Sequence, residues 1–216
     1  MKTLIILLIL VTGTTSANSN LATRSMASVH AKELMGGSYR KSIVSKNVTK
    51  KNFSKNLHSI VREHLPKAYK ARAFSISSAI IAEAAKYALD PYFVMAVIAG
   101  ESSFNPEAIG PVGEIGLMQI RPSTGKWMAE IVKSKWNGDK TLRDPIANIK
   151  LGVAYLSWLR AKFSGHGQLY LAAYNMGPRA VKNAVSKAVY PKDYPIHVMK
   201  RYIAFYKQIG KNSNTL

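Results

Sequence analysis

Prolines and capping residues divide the chain from about residue 75 onward into helix-sized segments, and that punctuation restricts the fold more than any other feature. Asp90-Pro91 and Asp144-Pro145 each set a capping carboxylate before a proline at the first helical position, where no backbone N–H is needed. "SISSAIIAEAAKYALD" runs into Asp90, and "PSTGKWMAEIVKSK" begins at Pro122. After Pro145, the residues Ile149, Val153, Leu156 and Leu159 form an apolar stripe at helical spacing. "GQLYLAAYNMGP" is stopped by Gly177-Pro178, "PRAVKNAVSKA" follows, and "YPIHVMKRYIAFYKQIG" closes at Gly210. No stretch alternates as a half-buried strand does, and no segment repeats. The pattern predicts a predominantly α-helical, compact domain of about seven helices.

One of these helices ends on a carboxylate. In "MAVIAGESSFNP", residues 95–106, the helix carries Val97, Ile98 and Glu101 on the same stripe as the preceding Val94, and Asn105-Pro106 halts it. Glu101 therefore falls in the last turn, where unpaired carbonyls disfavour a negative charge. Aliphatic neighbours disfavour the charge as well. Both effects raise the pKa and make Glu101 a candidate general acid. The loop that follows, "EAIGPVGEIGLMQ", is glycine-rich, a composition that lets backbone approach a ligand closely.

The residues before the helical part differ in character. "MKTLIILLILVTGTTSANS" has a lysine, an apolar run from Leu4 to Val11, then small residues, and reads as a signal peptide cut after Ala17. The apolar run is far shorter than the roughly 20 residues a membrane-spanning helix needs. The expected organisation is a signal peptide at 1–17, a basic and loosely structured arm at 18–72, a helical domain at 73–210, and a tail at 211–216. The arm holds twelve Lys and Arg against Glu33 and Glu63 alone, with one short helix expected at Ser54–Lys70. An exported protein of net charge +20 should associate with anionic surfaces such as cell-wall polymers. The chain has no cysteine, so its stability must come from a packed core and not from disulfides.

Four motifs carry a resemblance. "ESSFNPEAIGPVGEIGLMQIRPST", "LRDPIANIKLGVAYLSWL", "AAYNMGP" and "YPIHVMKRY" stand in the order and spacing of soluble lytic transglycosylase (SLT-type) domains. That family belongs to the lysozyme-like superfamily and is related to goose-type lysozyme. The resemblance runs from about Ser75 to Tyr206 and implies a lysozyme-like helical domain with its glycine-rich loop at the active site. It also implies cleavage of the β-1,4 bond between N-acetylmuramic acid and N-acetylglucosamine in peptidoglycan. One glutamate then acts first as acid and then as base, and the muramic acid's own C6 hydroxyl closes a 1,6-anhydro ring. No cofactor, metal or second carboxylate is implied.

Residue by residue, the resemblance assigns Glu101 as the catalytic acid. It implies substrate contacts for Ser102, for Met118 and Gln119 of "GLMQ", for Tyr155, for Tyr174 and Asn175 of "AYN", and for Tyr194. Of the tyrosines, Tyr174 is expected to hold the Glu101 carboxylate by a hydrogen bond. Core packing is the competing reading for Met118, Tyr155 and Tyr194, and a helix-end hydroxyl for Ser102. Two positions depart from the family pattern: Gly110 replaces a frequent serine, and Glu114 replaces a small residue. Glu114 is expected to be an exposed loop charge.

Other classes fit less well. The five histidines show no metal-ligand spacing, and no nucleophile elbow is present. Export and the lack of zinc-finger or RNA-binding signatures argue against nucleic acid as a partner. A lysozyme-type muramidase on the same fold and a non-catalytic wall-binding protein are the alternatives. The expected partners are peptidoglycan glycan strands, with an envelope-spanning secretion or conjugation apparatus as a further candidate. The expected location is the periplasm or the extracellular space, with no membrane span once the signal is removed.

Overall fold

In the computed structural model, residues 15–49 and 52–212 are described, and they form eleven α-helices with two short 3-10 helices. The helices are α1 (Thr15–Met35), α2 (Ile43–Asn47), α3 (Phe53–His64), α4 (Ala73–Lys86), α5 (Pro91–Glu101), α6 (Pro122–Ile131), α7 (Asp139–Arg143), α8 (Pro145–Lys162), α9 (Gly167–Met176), α10 (Pro178–Val185) and α11 (Asp193–Asn212). All seven helices expected from residue 73 onward are present, and the short α7 is added. Among the described residues the only sheet-like pairing is in isolated bridges, two of them folding the glycine-rich loop back on itself through Ile109, Ile115 and Ile120.

The helix starts follow the sequence signals. Asp90 caps α5 by accepting the Tyr92 N–H at 2.9 Å, and Asp144 caps α8 by accepting from Ile146 and Ala147. Every residue of α5 from Pro91 to Ile98 is buried, so this part of the helix is the central rod of the domain, and α5 meets solvent only in its last turn. The stripe read from the sequence is therefore part of an all-round apolar surface. α11 lies along α5, and α4 and α8 pack together beside them.

The loosely structured arm expected at 18–72 is not what the chain forms. Its residues build α1, α2, α3 and both 3-10 helices, and Val44, Val48, Phe53, Leu57, Ile60, Val61 and Leu65 are buried in the common core. The single helix expected at Ser54–Lys70 is α3 followed by a separate 3-10 turn at Lys67–Arg72. The physical reason lies in long-range partners. His30 of α1 is fully buried, accepts the Asp90 N–H on Nδ1 at 3.0 Å, and pairs through Nε2 with the Tyr170 hydroxyl. Burial holds the imidazole well below its usual pKa, so it stays neutral. Asp90 in turn accepts the hydroxyls of Tyr202 and Tyr206 at 2.5 and 2.7 Å, joining α1, α5, α9 and α11 in one satisfied polar network. Glu33 and Arg160 form an ion pair that fastens α1 to α8. Residues 1–14 of the expected signal peptide lie outside the described residues, as do 213–216 of the tail. Among the described residues no helix is long and apolar enough to cross a membrane.

Candidate active site

The packing of α11 on α5 creates the central feature. Tyr194, in the first turn of α11, meets Glu101, the last residue of α5, and its hydroxyl donates to Glu101 Oε1. Glu101 is half-buried and lines a cleft of about 600 Å³. Burial is the chief cause that pushes its carboxyl up from 4.5 to about 7. The Tyr194 hydrogen bond and the Arg201 charge pull it down, whereas the negative charge of Glu114 pushes it further up. The result is an acid that holds its proton near neutral pH.

The expectation that Tyr174 holds this carboxylate is corrected. The Tyr174 hydroxyl donates to the Met118 carbonyl at 2.8 Å, so it fastens the "GLMQ" backbone and leaves Glu101 to Tyr194. Both tyrosines lie near the carboxylate, and only the geometry of α9 and α11 on α5 decides between them. Met118 itself is fully buried, which places its side chain in the core and not on the cleft wall. Ser102 is half-buried, and its hydroxyl donates to the Leu117 carbonyl at 2.8 Å, tying the end of α5 to the loop. Gln119, Tyr155, Tyr174 and Asn175 do line the cleft beside Glu101.

The loop that carries Gln119 is held by one buried side chain. Asn148 of α8 accepts the Met118 N–H at 2.8 Å and donates to the carbonyls of Ile115 and Leu142 at 2.8 and 2.9 Å. Gly116, at φ +81°, brings the backbone so near that a Cβ would sit 2.5 Å from Asn148 Nδ2. Asn148 was not singled out from the sequence, because an asparagine inside a helix gives no sign of distant backbone partners. Replacing it by alanine leaves the buried Met118 N–H and Leu142 carbonyl without partners, while the Ile115 carbonyl keeps the Ile120 N–H. At roughly 1–3 kcal/mol for each such group, partly relieved by water, Asn148→Ala is expected to lower stability by about 3 kcal/mol. Chemical denaturation would measure this as a lower midpoint at unchanged slope.

Glu114 is not the exposed loop charge expected. Its side chain is 16% exposed, lines the cleft, accepts from Arg121 Nε at 2.9 Å, and accepts the Val112 N–H at 3.1 Å. These partners outweigh its desolvation and hold it below the usual carboxylate range, so it is ionised. A Cβ on Gly110 would lie 2.5 Å from Glu114 Oε2 and 2.7 Å from Gln119 Oε1. The Glu114 carboxylate thus occupies the space a side chain at 110 would need. Arg121, Ser123 and Thr124, which close the first motif but carry no role assigned from the sequence, also line the cleft.

Known proteins resemble this chain in sequence and in fold. Residues 78–196 match the family described as "Transglycosylase SLT domain". The chain is 40% identical over 96 residues to a putative soluble lytic murein transglycosylase of Haemophilus influenzae, covering 44% of this chain and 16% of that protein. It is 37% identical over 109 residues to the membrane-bound lytic murein transglycosylase C of Histophilus somni, covering 45% of this chain and 30% of that one. The chain thus matches only a minor part of these relatives' length. Among solved structures, the 70 kDa soluble lytic transglycosylase SLT70 of Escherichia coli superposes with a TM-score of 0.51 at 22% identity, over 81% of this chain and 33% of that one. The lytic transglycosylase Slt of Pseudomonas aeruginosa, solved as an inactive glutamate-to-glutamine mutant, gives 0.51 at 21% identity, over 89% and 35%. The similarity to both structures establishes the lysozyme-like helical fold.

Proposed function

The chain belongs to the transglycosylase SLT domain family, and from that membership we propose that it cleaves peptidoglycan glycan strands at the β-1,4 bond after N-acetylmuramic acid. The observation that carries this reading is a glutamic acid kept protonated near neutral pH at the wall of an open cleft, with a tyrosine hydroxyl on one carboxyl oxygen. Glu101 donates its proton to the glycosidic oxygen as the bond to the muramic C1 breaks. The carboxylate so formed takes the proton of the muramic C6 hydroxyl while that oxygen bonds to C1. The acid is regenerated, no water is consumed, and the product carries a 1,6-anhydro ring.

Tyr194 fits both halves of this cycle. Its hydrogen bond to Oε1 fixes the plane of the carboxyl, leaving Oε2 for the substrate, and it stabilises the carboxylate that follows proton donation. Gln119, Tyr155 and Asn175 offer polar and aromatic surface for the sugars. Export behind the 1–17 segment and association of the strongly basic remainder with the anionic wall complete the reading. Wall turnover, assembly of an envelope-spanning secretion or conjugation apparatus, and attack on rival cells would each use such an activity. Incubating the full chain with purified peptidoglycan tests the proposal: soluble sugars should be released, and intact sacculi after prolonged incubation would contradict it.

The tyrosine roles separate in a pH profile. Tyr194→Phe removes a hydrogen bond that favours the carboxylate, so the pKa of Glu101 should rise and the alkaline limb of activity should move upward. Turnover should fall about tenfold as the acid loses its fixed orientation. Tyr174→Phe leaves that hydrogen bond in place and should not move the alkaline limb.

A further inference from the structure

We propose that Trp127 and Trp158 extend the cleft into a distal glycan subsite, in which Trp127 stacks on a sugar ring of the same strand that Glu101 cuts. The inference rests on the peptidoglycan reading above and adds a place where the strand continues. An unbroken series of rings leads out of the cleft. Tyr174 lies 5.6 Å from Tyr155, Tyr155 is stacked on Trp158 at 6.1 Å and 13°, and Trp158 meets Trp127 edge-on at 4.8 Å and 90°. Trp127 also contacts Tyr155 at 6.3 Å.

The helices explain the direction. Ser123 and Thr124 of α6 and Tyr155 of α8 line the cleft, and each Trp stands one turn further along its own helix. One turn advances about 5 Å, so the two indoles form a corner just beyond the cleft wall. Trp158 is partly buried and packs on the core, whereas Trp127 keeps 37% of its surface exposed and is braced by two rings. A braced, exposed indole offers a rigid apolar face at little entropic cost. The apolar C–H face of a pyranose ring in a β-linked strand is a flat partner for such a surface. Lys162, 4.6 Å over the Trp158 ring, adds a cation at the same corner, suited to a polymer whose peptide stems carry carboxylates.

The test uses the full chain carrying Glu101→Gln, so that bound oligosaccharide is not cleaved, and chitooligosaccharides of increasing length as the probe. Affinity should rise once the oligosaccharide is long enough to pass Tyr155, with a change in tryptophan fluorescence. Adding Trp127→Ala should lower the ratio of long-chain to short-chain affinity by about tenfold, while Trp127→Phe retains most of it. Thermal melting checks that the exposed position tolerates both changes. In the chain with Glu101 intact, Trp127→Ala should raise KM for long glycan strands far more than it lowers kcat. A ratio unmoved by Trp127→Ala, in a protein that does cleave peptidoglycan, overturns the subsite alone. Absence of oligosaccharide binding at every length, together with no release of sugars from the wall, overturns both readings.

Discussion

Glu101→Gln should lower the release of sugars from peptidoglycan by roughly a thousandfold or more, because the amide can neither donate the acidic proton nor recover it. The same substitution should make the folded chain more stable at pH 8. The carboxyl of Glu101 titrates at about 7 in the fold against a usual 4.5, so between those values the folded state holds a proton that the unfolded state has released. The stability Glu101 contributes is therefore present below about pH 4.5 and lost as pH rises through 7. At pH 8 the wild-type chain carries a half-buried charge, and the amide does not. The expected gain is up to about 3 kcal/mol, fading to nothing near pH 4. Thermal melts of both proteins across that range measure it. A variant with lost activity and no pH-dependent gain would mean that Glu101 is not held in the low-dielectric setting described.

Deleting residues 18–72 should abolish folding of the remainder. The segment contributes Val44, Val48, Phe53, Leu57, Ile60, Val61 and Leu65 to the core, all 2% exposed or less. At about 1.5–3 kcal/mol for each large buried side chain, their loss exceeds the whole net stability of an ordinary domain, about 5–15 kcal/mol. It also removes His30 from the Asp90 N–H, leaving a donor at the start of the central helix without its partner. Circular dichroism of the truncated chain should show reduced helix content with no cooperative melt. A truncated chain that melts cooperatively and still cuts the wall would restore the picture of a separate basic arm.

The contrast between these two regions shows what sequence carries. The helices from residue 73 onward are written in local chemistry: Asp-Pro starts, glycine stops and aliphatic residues at helical spacing. Glu101 could be singled out from the sequence because its helix and the motif it opens form one continuous stretch. Of the N-terminal helices α3 was visible as the stretch expected at Ser54–Lys70, whereas α1 was hidden because it buries Ala27, His30 and Ala31, small or polar residues that give no amphipathic signal. Their burial depends on Asp90 and Tyr170, distant in sequence. The choice between Tyr174 and Tyr194 was illegible for the same reason, since it depends on how two later helices sit against α5. Glu114 looked like a solvated loop charge until the fold put Arg121 beside it and left no side chain at Gly110 to compete for its space.

Glu114 also sets the sharpest alternative. It is a second, ionised carboxylate in the cleft, the kind of group that in a hydrolase activates water. Here it is engaged by Arg121 and the Val112 N–H, and its charge serves to raise the pKa of Glu101. The mass of the muramic acid ends released from purified peptidoglycan decides between the two chemistries. Attack by the substrate's own C6 hydroxyl predicts 1,6-anhydro ends, lighter by one water than hydrolysed ends. Predominantly hydrolysed, reducing ends would contradict the single-glutamate cycle and assign the second carboxylate to the activation of water.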